Sequence, residues 1–422
     1  MHSLNKQPAA VSALPSNELS VVASSAKALR LSAMDMQRGL IMIIMAFSHC
    51  REYVGIRYYK NNVWGSPSAW LGSSFVDLFE QMFVSTVASG FCMMMGIGMI
   101  LLCKSRLQEG WSIEKVCGYL IKRGIVLILL QLSVLQFFEI VAEQKVYFYA
   151  GVLMMLGACM IIASLCLFLT YQLKKFFQQK SHVLDYLIPT AVIIGIVSLM
   201  QIYMSNLVAS HAHPSIWEMV FLVGGKFQHQ IQFDINFTPI PWFPAVALGL
   251  IIGQMLQQHR EKAFKTIGML ALSFLGAWFV IRTMNLTDFS LLGSYKLSPA
   301  NHEINFASYF CTSKYPPSLA YFLWTLGFNL LCMYGFYQAE KYLPKLISLL
   351  KPINLFGQCA LFFFVMHWFI YYGYSLLLEQ KLRMGGSLTC LWLLGLFTLY
   401  PMCKAYREFK LTKPADSLWR LF

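Results

Sequence analysis

The stretch RGLIMIIMAFSHCREYVG, from Arg38 to Gly55, combines an apolar helix with ionisable ends. Residues 39–47 carry no polar side chain, Ser48 is a single weak exception, and His-Cys-Arg-Glu follows at once at 49–52. What this imidazole does at the end of an apolar helix depends on the solvent around that helix.

The overall composition predicts that this helix lies in a membrane. Of the 422 residues, 57% are hydrophobic and only 12% are charged, whereas soluble globular chains usually carry about 25% charged residues. Apolar runs close to the ~20 residues that one bilayer crossing requires recur along the chain. The sequence therefore predicts an all-α, polytopic membrane helix bundle with about ten spans. The predicted spans are 37–57, 80–103, 118–140, 147–171, 184–204, 242–257, 264–284, 317–339, 353–378 and 388–406.

The distribution of basic residues predicts the orientation of the bundle. Lys and Arg are concentrated in the tails and the even-numbered loops, which the positive-inside rule assigns to the cytosol together with both termini. The segment 1–30 is polar, rich in Ala and Ser, and lacks a signal-peptide pattern, so we expect a disordered cytosolic tail there. We assign 31–406 to one transmembrane domain and 407–422 to a cytosolic C-terminal tail.

The formal net charge of +14 has two interpretations. In the first, the basic residues only set the membrane topology and attract anionic lipid. In the second, they form a cytosolic site for a polyanionic cofactor. Nucleic-acid binding has no support, because no basic helix or aromatic-basic module lies outside the predicted spans. The 11 Cys residues are scattered without paired Cys/His spacing, so we predict no metal site.

Two predicted outer loops, 205–241 and 285–316, are long for a compact membrane protein and carry aromatic residues and His. Loops of this length are usually functional when they occur in compact folds. We therefore expect both loops to fold over the outer mouth of the bundle.

A polar stripe runs along the first predicted span. In steps of three and four residues, which keep to one helix face, the stripe contains Asp35, Arg38, Met42, Met45, His49 and Glu52. Its ends are ionisable, its middle is soft and apolar, and Arg38 lies about 16 Å from His49 along the axis. One interpretation is an interfacial Asp35–Arg38 pair with His49 as an ordinary hydrogen-bonded core group. The other is functional, because ionisable residues within a span face the bundle interior and mark reaction or transport pathways.

Other ionisable residues are predicted at the same outer depth as His49. His367 lies in FFFVMHWFIYY of the ninth span, and Asp77 and Glu80 share a face at the outer end of the second. A His that titrates near neutral pH, with a carboxylate to orient it, is the usual equipment of a general base. We therefore predict His49, Asp77 and His367 as catalytic residues, with Glu80 as the alternative carboxylate.

The segment RLSAMDMQRGLIMIIMAFSHCREY, at 30–53, resembles the opening of bacterial membrane proteins related to the catalytic domain of heparan-α-glucosaminide N-acetyltransferase. Later segments resemble that family in the same order, over roughly 30–380: FVDLFEQMFVSTVASGFCMMMGIGM, YLIKRGIVLILLQ, PIPWFPAVALGLIIGQ, KYPPSLAYFLWTLG and PINLFGQCALFFFVMHW. The apolar helix ending in His is also similar, more distantly, to bacterial polysaccharide-modifying membrane O-acyltransferases.

The resemblance implies an acetyltransferase of the bacterial inner membrane. It would move an acetyl group from cytosolic acetyl-CoA to a sugar amine or hydroxyl across the membrane. His49 would deprotonate the acceptor or carry the acetyl group as a covalent intermediate. Clustered cations suit CoA phosphates, and the residues predicted to bind them are Arg38, Lys104, Arg106, Lys122 and Arg123. The residues predicted to shape the acceptor pocket are Asn301, Lys314 and Tyr315.

One feature departs from the family pattern. The active His of the lysosomal enzyme lies in the first lumenal loop, and the matching loop here, NNVWGSPSAWLGSSFVDLF, contains no His. That residue therefore has no direct counterpart in this chain, and His49 is the substitute candidate.

Two other classes of protein remain open. The same ionisable groups would serve as a proton relay in a transporter of an organic acid or lipid-linked sugar, and a catalytically silent family member would only sense or scaffold. The expected partners are membrane lipid and a sugar or glycan acceptor. Whether two copies form a homodimer is left open.

Overall fold

The computed structural model describes residues 32–55, 75–178, 182–210, 213–228, 231–284, 312–378, 381–382, 385–414 and 417–420, which excludes the predicted tail at 1–30 and Asn301. Within these ranges the fold is built on long helices. They are α1 (Ser32–Val54), α2 (Phe75–Gln108), α3 (Ile113–Leu130), α5 (Val152–Phe176), α6 (Val183–Ser210), α8 (Pro239–Gln258), α9 (Arg260–Thr283), α10 (Leu319–Tyr342), α13 (Ala360–Leu377) and α14 (Gly386–Leu411).

Shorter elements join the long helices. The short helices are α4 (Gln136–Glu143), α7 (Ile216–Glu218), α11 (Pro344–Leu349) and α12 (Lys351–Gln358). Two single π-helical turns, Gln131–Leu135 and Met219–Val223, and a 3₁₀ turn, Leu418–Arg420, complete the helical elements. The strands are β1 (Tyr147–Ala150), β2 (Gly225–Gln228) and β3 (Gln232–Ile235).

The prediction of an all-α polytopic helix bundle is confirmed. In the part of the chain that the structure describes, nine helices are long and apolar enough to cross a membrane. The first helix, α1, is the long helix outside that set, because its ionisable ends lower its mean hydropathy. It lies inside the bundle nevertheless, with Ile41, Met42 and Met45 almost fully buried.

The predicted fourth span, 147–171, is wrong at its start. Tyr147–Ala150 form strand β1, and α5 begins only at Val152, after an extended Gly151 at its N-cap. The reason is that an aromatic strand is as apolar as a helix, so hydropathy alone does not separate them. The predicted tenth span, 388–406, also differs at its end, since the corresponding helix α14 continues to Leu411.

A small sheet forms part of the molecule at one end of the bundle. Its strand order is β1–β3–β2, with β1 parallel and β2 antiparallel to β3. The sheet therefore joins the connection before α5 to the hairpin in the loop 205–241. These two connections lie on the same side of the bundle, as an alternating membrane topology requires.

Glycines allow the central helices to approach closely. A Cβ atom on Gly96 of α2 or Gly249 of α8 would collide with the backbone of the opposite helix. The same holds for Gly39 of α1 and Gly357 of α12. Small residues at helix crossings are typical of membrane proteins, where packing replaces the hydrophobic driving force. The result is a tightly packed centre that holds α1 in a fixed position.

Buried polar contacts fix α1 against α2 and α10. The Gln37 amide donates to Asn329 Oδ1 at 2.7 Å, and the Asn329 amide donates to the Thr86 carbonyl at 2.9 Å. Hydrogen bonds between helices are favoured in lipid, because an unpaired polar group there is costly. The contacts lie about three turns before His49 on α1, so they set the depth at which the imidazole is presented.

Candidate active site

A cavity of about 540 Å³ lies where the sheet meets the helices. Its walls come from helices α1, α2, α4, α5 and α13, the first π turn, all three strands, and the segment that precedes α10. This volume falls in the range of about 300–1,000 Å³ that is usual for small-molecule sites. The polar side chains that line it include Ser48, His49, Arg51, Glu52, Gln131, Glu139, Lys145, Tyr147, Tyr149, Lys226, Gln232, Asp234, Asn236, Lys314 and Tyr315.

Two histidines from distant parts of the sequence meet at this cavity. Nδ1 of His49 lies 2.6 Å from Nε2 of His367. The rings lie within 13° of parallel and their centroids are 4.9 Å apart, a separation that the nitrogen–nitrogen distance plus two ring radii accounts for. The rings are therefore arranged end to end, as an in-plane hydrogen bond requires.

The hydrogen bonds of this pair determine which nitrogen carries each proton. Nδ1 of His367 lies 3.2 Å from the Phe363 carbonyl, which only accepts, so this nitrogen donates. With both rings neutral, Nε2 of His367 is then an acceptor and Nδ1 of His49 donates to it. The remaining nitrogen, Nε2 of His49, carries the lone pair. His49 is half-buried and lines the cavity, whereas His367 is fully buried.

Aromatic side chains also pack against the His49 ring. The Trp368 ring lies 4.9 Å from the His49 ring, and Tyr53 packs edge-on against Trp368 at 5.5 Å. Phe138 of α4 packs against Trp368 at 6.1 Å. Packing of this kind restricts ring rotation, so the lone pair keeps one direction.

Two carboxylates that line the cavity, Glu139 of α4 and Asp234 of β3, already have partners. Glu139 accepts from the Tyr147 hydroxyl at 2.6 Å, and one oxygen of Asp234 pairs with Lys226 at 2.9 Å. In contrast, Lys314 makes no hydrogen bond or ion pair within the described residues. Its ammonium lies 5.0 Å from the Tyr315 ring centre and 5.8 Å from that of Phe237.

Burial changes the titration of the segment that carries Lys314. It lowers the pKa of Lys314 to about 8, although the nearby Glu52 carboxylate acts in the opposite direction. It raises the pKa of the Tyr315 hydroxyl well above its usual value, and the carboxylates of Glu52 and Asp234 add to this effect. Lys314 is therefore a partly desolvated cation whose charge is stabilised by any anion that enters the cavity.

The predicted cofactor residues lie at the opposite end of α1. Arg123 of α3 is within electrostatic reach of Arg38 and Arg106, and Arg38 is held by Asp35 at 3.4 Å. Lys104 donates instead to the Gln257 carbonyl of α8 at 3.3 Å. The structure thus brings three arginines together, while Lys122 is exposed.

Three predicted site residues cannot be placed in the cavity. The side chains of Asp77 and Glu80 fall outside the described residues, as does the whole of Asn301.

Conversely, the sequence reasoning missed Gln131 and the sheet residues of the cavity. Gln131 carried a usable signal, since it interrupts the apolar run of the third span, and polar residues within spans are functional candidates. The sheet residues of the cavity show no such signal in the sequence, because their position depends on strand pairing.

A comparison with protein families decides the relationship. The model of the heparan-alpha-glucosaminide N-acetyltransferase catalytic family matches residues 30–281, more than half of the chain. The chain belongs to this family. The matched range contains His49 and the three clustered arginines, whereas His367 and Lys314 lie beyond it. No curated protein matches the chain.

Proposed function

We propose that the protein transfers an acetyl group from acetyl-CoA to an amine or hydroxyl of a sugar on the opposite side of the membrane. Membership of a membrane acetyltransferase family supports the reaction class. The observation that carries the assignment to this cavity is the hydrogen-bond chain from His49 through His367 to the Phe363 carbonyl. Because this chain uses Nδ1 of His49, it leaves the lone pair on Nε2.

The chemistry is general-base acyl transfer. The proton of the acceptor N–H or O–H passes to Nε2 of His49 while the acceptor atom attacks the thioester carbon. The C–S bond breaks, and the CoA thiolate leaves and takes the proton back from the imidazolium. During this step Nε2 of His367 accepts the hydrogen bond from Nδ1 of His49 and supports the positive charge.

The same lone pair suits direct attack on the thioester. In that route Nε2 of His49 would bond to the acetyl carbon, the C–S bond would break, and CoA would leave as the thiolate before the acceptor arrives. Rapid denaturation at neutral pH, which preserves an acyl-imidazole better than acid does, after incubation with labelled acetyl-CoA and no acceptor separates the two routes. Label that stays with the wild-type protein but not with His49→Ala supports the covalent route.

The three arginines at the other end of α1 support a site for the CoA phosphates. Guanidinium groups bind phosphate with paired, charge-assisted hydrogen bonds. Between this cluster and the cavity, the stripe is filled by Met42 and Met45, both almost fully buried. Unbranched thioether side chains repack easily, so we propose that the pantetheine arm displaces them on its way to His49.

Arg123→Gln should weaken CoA binding about tenfold or more, because a hydrogen bond between charged groups contributes roughly 1.5–3 kcal/mol. The matched control is Lys404→Gln, which removes an exposed cation of α14 that is not among the predicted phosphate ligands and should leave the affinity nearly unchanged. Titration of CoA into purified protein measures both. Equal affinities for the two variants would move the phosphate site elsewhere.

The direct test of function is acetyl transfer by the purified protein. Labelled acetyl-CoA and a fraction of envelope glycans should give a labelled glycan, and mass spectrometry of glycans from cells lacking the gene should show the loss of that acetyl mass.

The histidine chain also suits a proton relay in a transporter. A protein that binds glycan and moves protons but leaves acetyl-CoA intact would establish that second function.

A further inference from the structure

The cavity contains buried polar atoms that the protein itself does not satisfy. Both ends of the Gln131 carboxamide, Oδ1 of Asp234 and Nε1 of Trp368 have no hydrogen-bond partner within the described residues. Gln131 is only 1% exposed and Asp234 only 7%. Leaving such groups unpaired is unfavourable, and native structures seldom do so without a reason. The residues all line the same cavity.

A π turn places the Gln131 amide there. Gln131 and Gln136 are five residues apart, which separates side chains by about 140° on an ordinary α-helix. The π turn at Gln131–Leu135 takes up the additional residue, and such turns are frequent at functional sites. Gln136 bonds β1 through the Tyr147 carbonyl and the Tyr149 N–H, while Gln131 faces the cavity unpaired.

Neighbouring residues leave room for this amide. A Cβ atom on Gly151 would lie 2.8 Å from both Oε1 and Nε2 of Gln131, so the carboxamide rests directly against the glycine backbone. A carboxamide offers donors and an acceptor side by side. It therefore matches a ligand that presents a hydrogen-bond acceptor next to a donor, as adjacent sugar hydroxyls do.

Lys314 adds a requirement for charge. The carboxylates of Glu139 and Asp234 are bonded to Tyr147 and Lys226. Lys314 reaches the same cavity without a hydrogen bond or ion pair among the described residues, and the Glu52 carboxylate acts on it only at longer range. A half-buried cation of this kind gains most from an anionic ligand group.

We propose that the acceptor is an acidic sugar, bound with its negative charge at Lys314 and its neighbouring hydroxyl or amine groups at Gln131 and Asp234. This proposal rests on the proposed function for its assumption that the cavity is the acceptor site. It goes further by naming the substrate class and the residues that select it.

Sugar binding in the absence of acetyl-CoA tests the proposal without any turnover. The probes are methyl glucuronide, glucose 6-phosphate and neutral methyl glucoside, titrated into full-length protein in lipid nanodiscs. Both acidic probes should bind at least tenfold more tightly than the neutral one, and the stronger of the two identifies a carboxylate or a phosphate. Equal affinity for all three would overturn the proposal.

Variants of Lys314 test the charge requirement. Lys314→Gln should abolish the preference for acidic probes and Lys314→Arg should retain it, because the guanidinium keeps the charge. The matched control, Lys381→Gln, changes an exposed lysine outside the cavity lining and should retain the preference. A preference that survives in Lys314→Gln contradicts this placement of the charge.

The pH dependence of binding gives an independent check. Lys314 is protonated below its pKa of about 8 and loses its charge as the pH rises through that value, so the dissociation constant for methyl glucuronide should rise about tenfold from pH 7 to pH 9. Other titratable or charged groups near Lys314 are Glu52, His49, Asp234 and Tyr315. Lys314→Arg should flatten the profile, whereas an unchanged slope would assign it to one of those groups.

Gln131 is tested by opposite effects on stability and binding. Gln131→Met removes a buried amide without partners, so the melting temperature without ligand should stay equal or rise. At the same time, both acidic and neutral sugars should bind about tenfold more weakly. Gly151→Ala, which presses on the amide, should weaken binding in the same way. Unchanged sugar affinity in both variants would exclude Gln131 from recognition.

A control at the neighbouring glutamine distinguishes recognition from structure. Gln136→Met breaks two hydrogen bonds to β1, so its melting temperature should fall. Failure of the acidic-sugar proposal can also be distinguished from failure of the proposed transferase function. Acidic sugar that binds but is never acetylated would refute the transferase and leave the binding site, whereas acetylation of neutral sugar alone would do the reverse.

Discussion

Replacing His49 by Ala should reduce acetyl transfer about 10²–10⁴-fold, which is the usual contribution of a general base. The affinity for CoA should change little, because the arginines near Arg38 lie about 16 Å away along the helix. Initial rates with labelled acetyl-CoA and direct CoA titration of the same preparation measure the two effects. If the histidine acts covalently, the loss of rate should be at least as large.

The structure supplies a control for the His49 experiment. Ser48, the neighbouring residue, also lines the cavity, but its hydroxyl is not part of the histidine chain. Ser48→Ala should therefore retain transfer within a few-fold of the wild type. Folded His49→Ala protein with at least half the normal rate would exclude this imidazole as the catalyst, and a parallel loss of folded protein and CoA binding would indicate a structural histidine.

Replacing His367 by Phe should produce the second largest effect, a loss of about 10²-fold in rate, at the lower end of the range for acid–base groups. Phe fills the buried space but accepts no hydrogen bond, so Nδ1 of His49 loses the partner that orients its ring and supports its charge. His367→Gln should retain more activity, because a carboxamide oxygen still accepts that bond.

The pH profiles of these variants test the role of the histidine pair further. Wild type and His367→Gln should share the limb of the pH profile along which the rate rises as the base loses its proton, since His49 remains that base in both. His49→Ala should lose that limb altogether. A rate that is the same in His367→Phe and wild type would show that the hydrogen bond between the rings has no part in turnover.

The long apolar helices could be predicted from the sequence because hydropathy in a membrane protein has a single strong cause. A bilayer leaves no water to satisfy the backbone, so spans are helical and roughly 20 residues long. The same reasoning failed at Tyr147–Ala150, where an aromatic strand continues the apolar run before α5. The strand forms because β3, more than 80 residues away in the sequence, pairs with it.

The candidate site was predictable in its local part and unpredictable in its long-range part. Helical spacing placed His49 and Arg38 at opposite ends of one face, and the depth of His367 in its span suggested a common level. Their contact at 2.6 Å depends on the packing of α13 against α1, which no local pattern specifies. Likewise, the position of Gln131 depends on a π turn, since α-helical geometry alone would not direct both Gln131 and Gln136 inward.

We propose that this one protein connects acetyl-CoA on one face of the membrane to an acceptor on the other. Proteoliposomes containing the purified protein test it most directly when labelled acetyl-CoA is present only outside and a glycan acceptor only inside. We expect labelled, acetylated glycan in the lumen while CoA accumulates outside, at a rate that His49→Ala reduces at least ~10²-fold. Labelled glycan that forms only when donor and acceptor share one compartment, or at equal rates in both proteins, would contradict it.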